Sequence, residues 1–382
     1  MERSGTGSCT QFCVEGSEMQ MNFFLNRLDN LDIGDESFEF IPQFAKKEMN
    51  LDGRIVGVHG TFISHEHDVM PLLREIGLKE QIGIGMYDAL FRKPVMIFLL
   101  ASTEEDLTFT KEQLDQRDAF IGLNLNNFAQ ALSIGCWFIK DSCVSAVHAY
   151  MSNPINGYYS QFHRDMDVTL GNGQIKEIYF SPTEMKEAMA LMERVLVLLM
   201  PDQSGAGQIE FARSAETSIL EVDKAISTEG TSFTRALSLL QEARRTGQIA
   251  AKMDKYCSVL ECLYALKREH KKRISNITAA YIGADSTDRE EIRMNMRDIY
   301  GIRSDKSHGD HLKYLKDHDE ETLAKLSTVL DGYVRSVFRK VIKLDELNYA
   351  PAAQEAAKTS AYFQGIAKSF FMEMDGMNDL MG

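Results

Sequence analysis

Tryptophan is nearly absent from this chain, with one in 382 residues against 21 phenylalanines and 20 methionines. Proline is scarce at seven, which excludes a collagen-like or polyproline architecture and leaves room for long helices. Cysteine numbers six, in three loose pairs: Cys9 and Cys13, Cys136 and Cys143, Cys257 and Cys262. None has the two-residue gap of a zinc-binding pair, and the last four lie in apolar segments, so buried thiols are expected. No apolar run approaches the roughly 18 residues that span a bilayer. The longest candidate, PVMIFLLA (Pro94–Ala101), reads as a buried strand, and the opening MERSGTGSCT lacks the apolar core of a secretory leader. The expectation is a cytoplasmic protein with no membrane association.

Basic residues are also in short supply, 42 Lys and Arg against 56 Asp and Glu, for a net charge of −14. The deficit is uneven. Between Thr231 and Asp345 there are 22 basic and 17 acidic residues, a balance of +5, which leaves −19 for the remainder. A basic module on an acidic body is compatible with one polyanion-binding surface and disfavours a nucleic-acid footprint over the whole molecule.

The length favours two domains. Residues 1–18 are expected to be a disordered lead. From 19 to 200 the pattern is α+β, read as a regulatory or sensing domain. RIVGVHGTFI (54–63), QIGIGMYDAL (81–90), PVMIFLLA, VSAVHAYM (144–151) and EIYF (177–180) are bounded by turn residues and predict strands. Thr110 to Lys140 has helical spacing with a break expected near Gly122. In SPTEMKEAMALMERVLVLLMP, Ser181 suits an N-cap, Pro182 the first helical position and Glu184 the third, followed by a methionine-rich stripe. A polar linker is placed at 201–230, an all-α bundle at 231–345 and a C-terminal tail at 346–382.

Within the bundle, Thr287 and Glu290 predict a capping box. Ile292, Met296, Ile299 and Arg303 then follow at four- and three-residue steps, so the stem of Arg303 should point inward. A buried guanidinium needs an anion or a wet cleft. His308 stands five residues on, about 140° around an unbroken helix. The two converge only if the helix ends near Ser304 and Asp305 and the chain restarts near His308. Histidine titrates near neutrality and can move a proton at a 2′-hydroxyl or a 5′ leaving oxygen, while arginine can stabilise a dianionic phosphorane. That chemistry suits RNA cleavage and requires no metal. Arginine and histidine at this spacing also fit a solvated arginine and a surface histidine beyond a helix end.

The surrounding text resembles the HEPN superfamily, and within it the Apea-like HEPN proteins of bacteria. The resemblance runs from about Ser232 to Ile342 and rests on YCSVLECLYAL, RISNITAAYIG and above all IYGIRSDKSHG in that order. FAQALSIGCWFIKDSCVSA (128–146) is similar to a segment found upstream in such proteins. The resemblance implies a dimerising helical bundle in which two R-x4-H motifs build a composite, metal-independent endoribonuclease site. A homodimer or higher even-numbered assembly follows, without a cofactor. Arg303 and His308 would be the catalytic pair, Ser304 the polar residue after the arginine, and Glu261 the acid that binds and orients Arg303, with Tyr300 packed behind. Such proteins act in anti-phage defence or as toxins, and the N-terminal domain would bind a phage or host trigger. Two positions depart from the pattern. Thr278 stands where relatives carry an arginine, and Asp310 where one branch has a tyrosine that accepts AMP. The alternative from another class is a non-catalytic module that binds a nucleotide or RNA and dimerises.

Other clusters carry less. KREHKKR supplies Lys267, Arg268, Lys271, Lys272 and Arg273, and with Lys306 these are the residues expected to draw RNA phosphates; a solvated basic turn explains the run equally well. SHEHD offers His65, His67 and Asp68 without a convincingly spaced further ligand, so no metal is expected. His59 and His148 read as packed strand residues and Trp137 as core.

Overall fold

The computed structural model describes residues 21–35, 38–39, 49–51, 54–56, 58–64, 78–101, 109–153, 158–163, 167–199, 231–266, 270–343 and 358–368. The expected lead, the linker at 201–230 and the metal candidate SHEHD beyond Ser64 lie outside them. The chain divides into two compact units. One is an α+β unit comprising 1–136, 143–167 and 177–193; the other is a helical bundle comprising 137–142, 168–176 and 194–382.

The α+β unit is built on a six-stranded antiparallel sheet. Its strands are β1 (Met21–Arg27), β3 (Phe38–Glu39), β6 (Val58–Ser64), β7 (Val95–Ala101), β8 (His148–Asn153) and β9 (Tyr158–His163), in the order β3-β6-β7-β1-β8-β9. Short strands β2 (Leu31–Asp32) and β10 (Ile178–Tyr179) pair in parallel, and β4 (Met49–Leu51) pairs with β5 (Arg54–Val56). Successive residues Met96, Ile97 and Phe98 are all buried. That is why the central strand β7 reads as a continuous apolar run and does not alternate.

Helix α3 (Lys111–Ile139) packs on this sheet through Phe128, whose ring meets Phe98 edge-on at 5.5 Å, and through a buried hydrogen bond from Asn26 to Asn126 at 2.9 Å. It runs unbroken through Gly122, so the expected interruption does not occur. One helical glycine costs about 1 kcal/mol relative to alanine, little against the packing of so long an element. Thr110 and Gln113 exchange capping hydrogen bonds at its start. Helix α4 (Pro182–Leu199) begins with the reciprocal bonds expected of Ser181 and Glu184, at 2.9 and 3.4 Å. It approaches α3 where Gly135 has no side chain: a Cβ there would lie 2.4 Å from the Ala188 carbonyl oxygen.

QIGIGMYDAL is not a strand. It forms α1 (Leu78–Ile82) and α2 (Ile84–Phe91), separated by Gly83 at φ 79. Ile84 and Met86, which suggest alternation, are exposed, whereas Tyr87 and Leu90 are buried at helical spacing.

The bundle contains α5 (Ser232–Arg245), α6 (Ile249–Leu263), α7 (His270–Ile282), α8 (Ser286–His308), a 3-10 turn (Lys313–Lys316), α9 (Glu320–Lys343) and a helix over 358–368, here α10. Its centre is aromatic. Trp137, Phe138, Phe233 and Phe338 meet in tilted and edge-on pairs at 5.5 to 6.2 Å. Burying each such ring is worth about 1.5–3 kcal/mol.

A polar knot adjoins them. Asp331 is fully buried and accepts from Trp137 Nε1 (2.8 Å), Tyr256 Oη (2.6 Å) and Arg335. Asp141 receives the Gly171 amide at 3.0 Å, and Ser327 donates to the Gly171 carbonyl at 2.6 Å. Lys252 reaches the Thr169 carbonyl at 3.3 Å. These bonds explain why 168–176 belongs to the bundle. Helix α10 docks by Phe363, fully buried with its ring 4.7 Å from Tyr264 and 5.1 Å from Tyr281.

Helix α8 differs from expectation at both ends. Its N-cap is Asp285, which accepts from Asp288 N–H at 2.9 Å, and not Thr287. At the other end the helix continues through Ser304 and Asp305 to His308. The polar run does not break it because Asp305 works from inside: its carboxylate accepts the Lys313 amide at 2.8 Å. Termination falls to Gly309, left-handed at φ 72, with Asp310 N–H on the Asp305 carbonyl and Gly309 N–H on that of Lys306. That is the Schellman pattern, and glycine is the residue that adopts it without strain.

Candidate functional site

Helices α6 and α8 pack together and set the candidate site between them. On α8 the inward stripe is Ile292, Met296, Ile299 and Tyr300, all buried. Arg303 continues it, with 22% of its side chain exposed. Its carbon at the guanidinium centre lies 5.4 Å from the centre of the Tyr300 ring.

Arg303 is gripped from α6. Nη1 and Nη2 engage the two oxygens of Glu261, the Nη2–Oε2 distance being 2.9 Å. Nε donates to Asp254 Oδ1 at 3.1 Å. Asp254 is seven residues before Glu261, two helical turns away on the same face. Its second oxygen accepts from Lys306 Nζ at 2.8 Å. Tyr300 Oη completes the cluster by donating to Glu261 at 3.1 Å. Five polar side chains from two helices thus form one connected network.

Burial works against the charge of Arg303, but the hydrogen bonds and charge of Glu261 outweigh it and hold the guanidinium's pKa above its ordinary value. Burial, reinforced by Cys257 and Glu261, pushes the Tyr300 hydroxyl well up. It therefore serves as a hydrogen-bond donor to Glu261 and not as an acid. The Cys257 thiol beside it is fully buried and also raised by that burial, so it is no nucleophile.

The expected catalytic and RNA-binding residues of α6 and α8 divide into two groups. Arg303 and Glu261 meet directly, and Lys306 joins them through Asp254. Ser304 and His308 are exposed and make none of these contacts. Because α8 does not break, His308 leaves the helix about 140° from Arg303. Convergence within a protomer, which required a helix junction near Ser304, is corrected by that continuity. Lys271 and Lys272 are exposed on the first turn of α7 and Arg273 is half-buried there, while Lys267 and Arg268 lie outside the described residues. Thr278 is fully buried and bonded to Tyr264 Oη at 3.1 Å. Asp254 is the member that sequence reasoning missed; its one signal is the seven-residue spacing to Glu261.

Among the described residues no group of three or more histidine, cysteine or acidic side chains is placed to hold a metal ion. Nor, among them, is any helix long and apolar enough to cross a membrane. No family model matches the chain, and no curated protein or solved structure does either.

Proposed function

We propose that the bundle is a metal-independent endoribonuclease of the HEPN type, with the α+β unit as its sensor and anti-phage defence or toxicity as its role. The observation that carries this reading is the grip of Glu261 on Arg303. It leaves a permanent cation in a fixed direction and partly open to solvent, as a group meant to stabilise a phosphorane must be. His308, exposed on another side of α8, would serve the Arg303 of a second copy. A homodimer would then hold two composite sites. His308 takes the proton from the 2′-hydroxyl or returns one to the 5′ oxygen, Arg303 steadies the charge that develops, and Lys306 helps hold the same phosphate.

One observation favours a second reading, a binding and dimerisation module without catalysis. A single protomer offers cations on one side of α8 and its imidazole on another, enough to hold a phosphodiester but not to cut it. Incubation of total RNA with the protein in EDTA separates the two. Chelator-resistant cleavage that disappears in both Arg303→Ala and His308→Ala is the expected result. Binding without cleavage would leave only the module.

A further inference from the structure

A guanidinium presents two bidentate edges to an oxyanion: Nη1 with Nη2, and Nε with Nη2. On Arg303 carboxylates stand at both. Glu261 spans the first, and Asp254 occupies Nε on the second at 3.1 Å. The two acids are not held alike. Glu261 is also bonded by Tyr300 and its side chain is 16% exposed. Asp254 is 21% exposed and shares itself between Arg303 and the more exposed Lys306, whose side chain is 38% accessible. A more enclosed cation and a more exposed one, one turn apart on α8, therefore converge on the two oxygens of a single carboxylate. Two oxygens of a phosphodiester would be received in the same way.

We propose, building on the nuclease reading above, that Asp254 is the internal occupant of a phosphate subsite made by Arg303 and Lys306. At rest the carboxylate fills the subsite and leaves two cations balanced by two acids. An RNA phosphodiester binds by displacing Asp254, while Glu261 keeps Arg303 in place. The resting protein is self-blocked at its anion subsite, and the energy of displacement is drawn from the rest of the RNA contact. This role is opposite in sign to that of a positioning residue. A carboxylate that merely orients Arg303 would weaken RNA binding when neutralised, whereas one that competes with phosphate would strengthen it.

The experiment measures binding of the full chain to a fluorescent 2′-O-methyl oligoribonucleotide, which lacks the attacking hydroxyl and cannot be cleaved by that route. Asp254→Asn keeps the size and an acceptor oxygen but removes the charge. It should bind about tenfold more tightly, about 1.4 kcal/mol, and inorganic phosphate should compete at correspondingly lower concentration. Adding Lys306→Ala should abolish the gain. Asp254→Ser, smaller and uncharged, should show the same direction and serves should the asparagine variant fold poorly. Unchanged or weakened binding in the folded variants overturns the proposal. Because the probe reports binding alone, the two readings fail separately. Tighter binding with no chelator-resistant cleavage of ordinary RNA retains the subsite and removes the nuclease. Cleavage by the unaltered protein without a gain in the variants does the reverse.

Discussion

Arg303 and His308 leave one unbroken helix about 140° apart, the first turned toward α6 and the second toward solvent. A composite site must then take its arginine from one copy and its histidine from another. Arg303→Ala and His308→Ala, each inactive alone, should complement when co-expressed or mixed and re-equilibrated. Random pairing makes half the dimers mixed, and each mixed dimer has one intact site of two, so about a quarter of the unaltered activity should return. No recovery despite demonstrated heterodimer formation would rule out a site shared between two copies.

Glu261 and Arg303 form the tightest part of the network, and their pairing should be measurable as stability. Glu261→Gln leaves a half-buried guanidinium without its bidentate partner. Fully buried pairs broken this way cost about 3–5 kcal/mol. With 16–22% of these side chains exposed, solvent screening reduces the expectation to about 1–2 kcal/mol. Arg303→Met should cost less in the Glu261→Gln background than alone. Urea unfolding of the four proteins in this cycle reads the coupling, and additive costs would mean that the pair contributes nothing.

Where the sequence was legible, a local rule and the tertiary environment agreed. Ser181, Pro182 and Glu184 announce a helix start because the capping bonds are made within three residues. PVMIFLLA announces a strand because both its faces are buried. QIGIGMYDAL misleads because Ile82, Ile84 and Met86 imitate a period of two, and the deciding feature, which residues go inside, is set by packing. The run after Arg303 suggests a break because its polar residues favour loops locally; the bond from the Lys313 amide to Asp305 overrides that preference. In the candidate site, Arg303 is visible from periodicity, but Glu261 is visible only through a family resemblance. Asp254, 49 residues from Arg303, is one acid among 56 acidic residues. The bond between Trp137 and Asp331 spans 194 residues, beyond the reach of any spacing rule.

Helix α10 makes a prediction about how it docks on the bundle. Phe363 is fully buried between Tyr264 and Tyr281, and Tyr264 is in turn bonded to Thr278. Phe363→Ala should cost about 3–5 kcal/mol if α10 unfolds with the bundle. If α10 instead undocks alone, global stability should barely move while the amides of 358–368 lose their protection from hydrogen exchange. No change in either measurement would show that α10 does not dock through Phe363 in solution.

Asp141 predicts an unusual pH dependence. Burial and the neighbouring Asp331 push its carboxyl up to about 6 from an ordinary 3.8, against the opposing pull of the Gly171 amide, Arg335 and Lys252. Between these values the folded protein binds a proton that the unfolded chain has released. The protonated acid therefore stabilises the fold fully below about 3.8, and that contribution is lost as pH rises through about 6. Asp141→Asn keeps an acceptor for Gly171 without the charge. It should be more stable than the unaltered protein at pH 7.5 by up to about 3 kcal/mol, with the difference shrinking toward zero near pH 4. Chemical denaturation at several pH values, taken as the difference between the two proteins, isolates this group from the other carboxylates. A difference that stays flat across that range, or grows as the solution is acidified, would mean that Asp141 is ionised in the fold at no cost and that its neighbours Arg335 and Lys252 outweigh its burial.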